Sequence, residues 1–451
     1  MTNNDDILSK AIKHNLWTWT AQRKAEILPV ERSEGVYFWD TNGKRYLDFN
    51  SMVMCVNIGH GNSHVQEAMI QQIRELPFAG PHMATKPRAL LGEKLASITP
   101  PGLTRFLYTL GGSDANENAV KVARDYTGRF KILTRYRSYH GATMGAMALT
   151  GDYRRLHWEP ETMPGVVHFL DPYAYRSPFF PDGSAVDPAV FSQAYLDHLE
   201  EIIHFEGPDT IAAVLIETVT GTNGILIPPA GYLKGVRALC DKYKILLVTD
   251  EVMCGFGRTG KWFAFQHWDV VPDIITMAKG LTSGYAPLGA VAMKEEIAAI
   301  YDDRQFVGGM TYNGHPVSLA AALANIEVIE QEGLLESSTR RGETLRTLLA
   351  ELKANHPCVG DVRSIGLFGA AELVRDRATK EPLSPGAKPL SPVMKRVKSY
   401  IQEHGVFMYN TFHTLLFIPP LIISDAQLRE GFEIIDAALC IADQEIQAGL
   451  E

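Results

Sequence analysis

The sequence predicts an α/β protein: a large domain on a mostly parallel seven-stranded sheet, followed by a smaller α+β domain. Between Gly59 and Asn325, apolar runs near Phe106, Ile132, Val167, Val214, Leu247, Ile275 and Val291 alternate with stretches of helical spacing. That rhythm is the one of a sheet covered on both faces. Beyond residue 326 it gives way to short strand runs packed by two helices. At 451 residues, 46% hydrophobic and 21% charged, the chain is long enough and apolar enough to core more than one domain. We divide it into an N-terminal segment 1–58, a large domain 59–325 and a small domain 326–451.

Val36 to Trp39 and Arg45 to Phe49 read as strands about a Thr41-Asn42-Gly43-Lys44 turn. Ser63 is expected to open a helix, with Gln66 completing a capping box and Val65, Met69, Ile70 and Ile73 on its apolar face. Arg105 to Thr109 reads as a strand running through Gly111-Gly112-Ser113-Asp114 into a helix over Ala115 to Tyr126. The strand Lys131 to Arg135 leads to a loop carrying Ser138-Tyr139-His140-Gly141. Pro316 to Gln331 reads as a long helix, and Glu336 to Asn355 as the link to the small domain. There, Val362 to Ser364, Leu367 to Leu373, Val406 to Met408 and Leu415 to Ile418 are strand candidates, with helices at Val393 to His404 and Asp425 to Ala442. Thr379 to Pro392, rich in Pro, Lys and Ser, reads as an exposed loop, and no solenoid repeat is visible.

The chemistry concentrates between Ile245 and Lys279. Asp250 ends one apolar strand and Lys279 follows the next, at the carboxyl edge where open α/β sheets collect ligands. Taken singly, each is an ordinary turn aspartate or loop lysine. Together they suit pyridoxal phosphate, which needs an amine to hold its aldehyde and a carboxylate to keep its ring nitrogen protonated. Gly112 and Ser113 open a helix whose free amides favour a phosphate, although a plain N-cap has the same look. Tyr139 is placed to stack on a flat ring, and Gly141 lets backbone come close. No G-x-x-x-x-G-K-[ST] run is present, so a nucleotide P-loop is not supported.

GGSDANENAVKVAR, RYRSYHGAT, IPPAGYLKGVRALCDKYKILLVTDEVMCGFGRTG, PDIITMAKGLTSGYAPLGAV, GGMTYNGHP and VGDVRSIGLFGAAEL follow one another along the chain. In these and in GVYFWDTNGKRYLDF near the start, the protein resembles the class III aminotransferases, fold type I pyridoxal phosphate enzymes that include the pyruvate-linked ω-transaminases. The resemblance implies a fold type I transferase in which the N-terminal segment joins the small domain. It implies that Lys279 carries the cofactor, Asp250 pairs with the ring nitrogen, and Gly112 and Ser113 bind phosphate. Tyr139 would stack on the ring with His140 beside it, Val252 would pack on the other face, and Glu217 would be the acidic residue nearby. Thr311 would reach the phosphate of a partner subunit, which requires a homodimer or higher homo-oligomer.

The formal net charge of −9 and a sequence pI near 5.9 argue against nucleic acid as a partner. The start lacks a secretory pattern and no apolar run spans a bilayer, so we expect a cytoplasmic protein without membrane contact. Cysteines 55, 240, 254, 358 and 440 form no C-x-x-C pair and fit reduced thiols. His60, His64, His140, His315 and His413 form no helical metal-ligand pattern, so no metal is expected.

Substrate preference is read from departures from the relatives. Where many carry an acidic residue in E-P-x-x-G-E-G-G, this chain has Thr222, and no arginine follows its His140-Gly141 pair. Pyruvate-linked relatives often place an arginine just before a small-domain Pro-Pro. Here residues 397–428 contain none, and Tyr409, Asn410, Thr411 and His413 stand in that neighbourhood. The acceptor carboxylate is therefore expected to meet hydrogen bonds from that segment, or else an arginine from elsewhere. Met54, His82, Tyr139, Thr222 and Met253 should line the donor pocket, with Trp17 or Trp19 as lids. The expected activity is transfer of an amino group from an amine or ω-amino acid, such as taurine or β-alanine, to a keto acid, with pyruvate as acceptor, by a ping-pong mechanism. A same-fold aminomutase and a cofactor-binding protein without turnover are the alternatives.

Overall fold

The computed structural model describes residues 4–159, 162–181, 186–386 and 389–449. A seven-stranded sheet lies at the centre, in the spatial order Arg105–Thr109, Gly289–Met293, Ile274–Met277, Leu246–Asp250, Ile211–Glu217, Lys131–Arg135 and Val166–Phe169. Only Gly289–Met293 runs antiparallel to its neighbours. Strands 211–217, 246–250 and 274–277 are buried along their whole length. Their unbroken apolar runs, unlike alternating ones, suit a strand covered on both faces. Helix Gly112–Thr127 packs on one face through Ala115, Ala119, Val122 and Ala123, and helix Tyr232–Tyr243 packs through Leu233, Val236 and Cys240. Register brings Glu217, Asp250 and Thr276 side by side on three adjacent strands at the carboxyl edge of the sheet.

Two smaller sheets flank this core. Val30–Glu34, Tyr37–Asp40 and Arg45–Asp48 form antiparallel neighbours, and Val406–Phe407 adds in parallel beside Arg45–Asp48. The other sheet orders Val359–Ser364, Gly369–Asp376, Thr414–Phe417 and Tyr409–Thr411, with Glu381–Pro382 beside Gly369–Asp376. Helices Pro316–Gln331 and Leu334–Asn355 connect the halves of the chain, and Pro392–Glu403 packs against Asp425–Ala448.

Several local expectations need correction. Asn62, not Ser63, caps the first long helix, its side chain accepting from the amides of His64 and Val65. Ile70 and Ile73 of that helix face outward, at 39% and 52% exposure, and Val65 is its buried apolar anchor. Thr379 to Pro392 is not wholly an exposed loop: Leu383 and Ser384 are buried, and the Leu383 amide bonds to Leu373. Residues 387 and 388 of that stretch lie outside the described residues. Strands 30–34 and 409–411 were not anticipated, since VERSE is fully exposed and YNT carries no apolar alternation.

One buried arginine ties the segments around the cavity together. Arg258 is fully buried and donates through Nη1 to the carbonyls of Leu367 at 3.1 Å and Pro419 at 2.5 Å. Through Nη2 it donates to Ser51 Oγ at 3.1 Å and Asn57 Oδ1 at 2.8 Å. Among the described residues no carboxylate pairs with it, and burial pushes its pKa down to about 9, with Asp48 pulling the other way. A lysine keeps the charge but cannot reach four acceptors in a fork. Arg258→Lys should lower the free energy of unfolding by about 3 kcal/mol, read as a fall in denaturant midpoint at unchanged slope.

Candidate active site

A cavity of about 870 Å³ opens at the carboxyl edge of the central sheet. It is large enough for a cofactor and a small substrate together. Asp250, Val252, Met253 and Lys279 come from the two strand ends, and Gly112 and Ser113 from the start of helix 112–127. Tyr139, His140 and Gly141 come from the loop after strand 131–135, and Glu217 and Thr222 from the end of strand 211–217 and the turn beyond it.

Asp250 is 3% exposed. Its Oδ2 accepts from Asn116 Nδ2 and from His140 Nδ1, both at 2.8 Å, and its Oδ1 accepts from the Val252 amide at 2.9 Å. Lys279 sits just past the end of its strand in the left-handed region, with φ 46°. Such a conformation costs a side-chain-bearing residue energy that the surrounding structure must supply, and it accumulates at functional sites. Burial pushes the Lys279 amine below the ordinary lysine value, while Asp250 holds it up. The result is an amine that loses its proton more readily than a surface lysine, which favours nucleophilic attack. Glu217 accepts from the amides of Tyr139 at 3.0 Å and Gly221 at 2.6 Å, and burial raises its pKa against the pull of His140.

Helix 112–127 begins at Gly111 without a side-chain cap, so its first amides face the cavity unclaimed. Ser113 Oγ accepts from the Ala142 amide at 3.1 Å, which leaves its own proton available. Two glycines keep this corner open. A Cβ on Gly112 would lie 2.8 Å from Val252 Cγ1, and one on Gly141, where φ is 140°, would lie 2.2 Å from Ser113 Oγ. Tyr139 has one face taken by the Arg154 guanidinium, 3.9 Å from the ring centroid, which leaves the other for a flat ligand. An uncapped helix terminus, a free hydroxyl donor, an aromatic face, a buried carboxylate and an amine of lowered basicity fit pyridoxal phosphate group by group.

The outer wall holds the residue that sequence reasoning missed. Arg154, on the short helix Tyr153–His157, donates to Asp152 through Nε and Nη2 and to Thr222 Oγ1 at 2.8 Å. Its Nη1 has no protein acceptor among the described residues, and Trp19 lies edge-on to Tyr139 close by. Burial works against the charge of Arg154 but the Asp152 carboxylate outweighs it, so its pKa stands above the usual arginine value. An arginine from outside residues 397–428 thus lines the cavity together with the Tyr409 to Thr411 stretch. Tyr409, Asn410 and Thr411 do line the cavity, but His413 turns away to Glu372 and the Ser384 carbonyl. Nothing in the GDYRR run distinguishes Arg154 from Arg155 without the fold.

Met54, Thr222, Met253, Trp17 and Trp19 also line the cavity. His82 and Thr311 do not: both are exposed, and Phe78, Met83, Val307 and Tyr312 near them in sequence are exposed as well. Among the described residues no cluster of His, Cys, Asp and Glu could hold a metal ion. No helix among them is long and apolar enough to cross a membrane.

Comparison with known proteins gives a consistent result. The family model "Aminotransferase class-III" matches residues 19–439. The chain is 38% identical to a taurine–pyruvate aminotransferase of Bilophila wadsworthia, over 97% of this chain and 96% of that one. It is 34% identical to a putrescine–pyruvate aminotransferase of Pseudomonas aeruginosa, over 89% and 88% respectively. Among solved structures, a taurine:2-oxoglutarate aminotransferase of Bifidobacterium kashiwanohense, in complex with PLP and glutamate, superposes with a TM-score of 0.95 at 38% identity, covering 99% of both chains. An (S)-enantioselective ω-transaminase of Thermomicrobium roseum gives 0.90 at 38% identity, covering 98% of this chain and 99% of that one.

Gly141→Ala tests the phosphate corner. The added methyl must displace Ser113 and occupy a disfavoured backbone region. We expect the apoprotein to fold and its affinity for pyridoxal phosphate to fall about tenfold or more, as loss of a hydrogen bond to a charged acceptor implies. Fluorescence titration of the apoprotein measures this.

Proposed function

This chain belongs to the class III aminotransferases, which are pyridoxal phosphate enzymes, and from that premise we propose a substrate class and a set of roles for its residues. The donor is a small primary amine carrying an anion a short distance away, of the taurine or β-alanine kind. The acceptor is pyruvate, and the two are processed in successive half-reactions. The observation that carries the donor class is Arg154, a guanidinium at the cavity wall whose Nη1 meets no acceptor among the described residues. An arginine so placed donates to a sulfonate or carboxylate from Nη1 in a charge-assisted hydrogen bond, while Asp152 holds its Nε and Nη2 edge. Relatives named for taurine and pyruvate agree with that choice.

When bound, pyridoxal phosphate supplies an aldehyde that captures amines and a ring that accepts the electron pair of a broken C–H bond. Lys279 anchors it at rest. The Lys279 amine, its basicity lowered by burial, would take the proton from the donor carbon. Asp250 holds the ring nitrogen's proton by charge, with His140 supporting the carboxylate. The amides at Gly112 and Ser113 and the Ser113 hydroxyl bind the phosphate, while Tyr139 and Val252 hold the ring from its two faces. Glu217 stands beside it, and Met54, Met253, Thr222, Tyr409 and Thr411 shape the substrate space.

We read the active unit as a homodimer. Thr311 and His82 lie on an exposed stretch with Val307 at 84% and Tyr312 at 55% exposure, and a second copy would cover these and bring Thr311 to its neighbour's phosphate. The division into 1–58, 59–325 and 326–451 is supported by strand 406–407, which lies beside 45–48 and so joins the N-terminal segment to the small domain. A cytoplasmic setting is supported by five free cysteines.

Two experiments test the proposal. In Lys279→Ala, turnover should be abolished, and borohydride treatment of the wild-type holoenzyme should label Lys279; a label on another lysine would remove it from this role. Arg154→Gln should slow the half-reaction with taurine or β-alanine by about tenfold to a hundredfold, as expected for a lost charge-assisted hydrogen bond, while an arylalkylamine, which lacks an anion, loses less than about threefold. Equal losses for both kinds of donor would show that Arg154 does not read the anion.

A further inference from the structure

Behind Asp250 lies a polar pair with no direct access to the substrate. Thr276 and Asn116 are 0% and 1% exposed. Thr276 is the cross-strand partner of Asp250, and its hydroxyl donates to Asn116 Oδ1 at 2.7 Å. Asn116 Nδ2 then donates to the His140 carbonyl and to Asp250 Oδ2, each at 2.8 Å. Every hydrogen on that amide is used, and its oxygen is held by a donor.

We propose that Thr276 and Asn116 are positioning residues that fix which oxygen of Asp250 meets the cofactor's ring nitrogen. The His140 carbonyl and the Asp250 carboxylate set the sense of the Asn116 amide, since a flipped amide would put Oδ1 against both, and the Thr276 hydroxyl clamps the amide from its oxygen side. The amide and His140 Nδ1 together occupy Oδ2. Oδ1, which takes only the Val252 amide, keeps a lone pair for the ring N–H. His140 is held in turn: its Nε2 meets Thr134 Oγ1 at 3.1 Å, and its backbone amide donates to Thr150 Oγ1 at 3.0 Å. Without the Thr276 hydroxyl, Asn116 Oδ1 is left buried without a donor, the amide is held less firmly against Asp250 Oδ2, and the ring proton is held less firmly in turn.

The inference rests on the assignment of Asp250 to the ring nitrogen, and the test separates the two. Holoenzymes of Thr276→Val, Thr276→Ser and Asp250→Asn are titrated against pH by the visible absorbance of the bound cofactor, and kcat and KM are measured alongside. Weaker retention of the ring's positive charge eases protonation of the chromophore nearby, so the titration midpoint of Thr276→Val should rise by about one unit. Its kcat should fall about tenfold with donor KM held within about twofold, and Thr276→Ser should restore both quantities. If Thr276→Val does not fold, Thr276→Ala removes the same hydroxyl and is read in the same way. A hydroxyl-free variant with wild-type midpoint and kcat, or a serine variant that fails to restore them, overturns the inference. If Asp250→Asn moves the midpoint while the Thr276 variants do not, only this inference falls; if Asp250→Asn leaves it unmoved, the underlying assignment falls as well.

Discussion

A carboxylate fixed in place at a buried sheet edge is the constraint around which the rest of the molecule is arranged. Asp250 is 3% exposed and, among the described residues, pairs with no arginine or lysine, so three hydrogen bonds from neighbouring elements hold it. Those donors come from helix 112–127, from the loop after strand 131–135 and from the Val252 amide just beyond the strand itself. The parallel sheet is what sets these distant segments at one level. Lys279 shares the arrangement, since the neighbouring strand delivers it close enough for Asp250 to offset part of the burial that depresses its pKa.

The corner that holds this carboxylate also explains the density of small residues around it. Gly112 and Gly141 leave room for backbone and the Ser113 hydroxyl to converge, and side chains there would collide with Val252 and Ser113. Further out, Arg258 binds the stretch around Ser51 and Asn57 to the backbone at Leu367 and Pro419, so the N-terminal segment and the C-terminal sheet are fixed against the same cavity. The stretch it binds is itself unusual, with φ positive at Ser51, Met52 and Met54. Asp48 steadies it by accepting from the amides of Asn50 and Met52 while pairing with His60.

Much of this was legible in the sequence because it is encoded locally. The strands with unbroken apolar runs, the glycine-rich turn before helix 112–127 and the aspartate and lysine at successive strand ends each announce themselves within a few residues. What was not legible depends on long-range placement. Arg154 has the same local surroundings as Arg155, and only the packing of residues 151–157 beside Thr222 puts one in the cavity. Asn116 looks like any polar residue on a helix, and its role depends on a strand 160 residues further along. Strand 409–411 forms because Thr414–Phe417 offers it an edge, not because YNT favours extension. The cap at Asn62 shows a smaller limit, since adjacent Asn and Ser are equally good caps and geometry chooses between them.

The pairing of Arg154 with Asp152 bears on how a charged molecule reaches this cavity at all. The two charges nearly cancel beyond a few ångströms, so the guanidinium casts little field into solvent. The chain as a whole carries a formal charge of −9, which repels anions at long range. A donor of the proposed kind is a zwitterion without net charge at neutral pH, so its capture is a matter of contact and neither of attraction nor of repulsion from afar, and moderate salt should change its encounter rate little. An amine without an anion is an ammonium cation at that pH and is drawn by the chain's negative charge, so at low ionic strength it enters on better terms than the contacts inside the cavity alone would grant it.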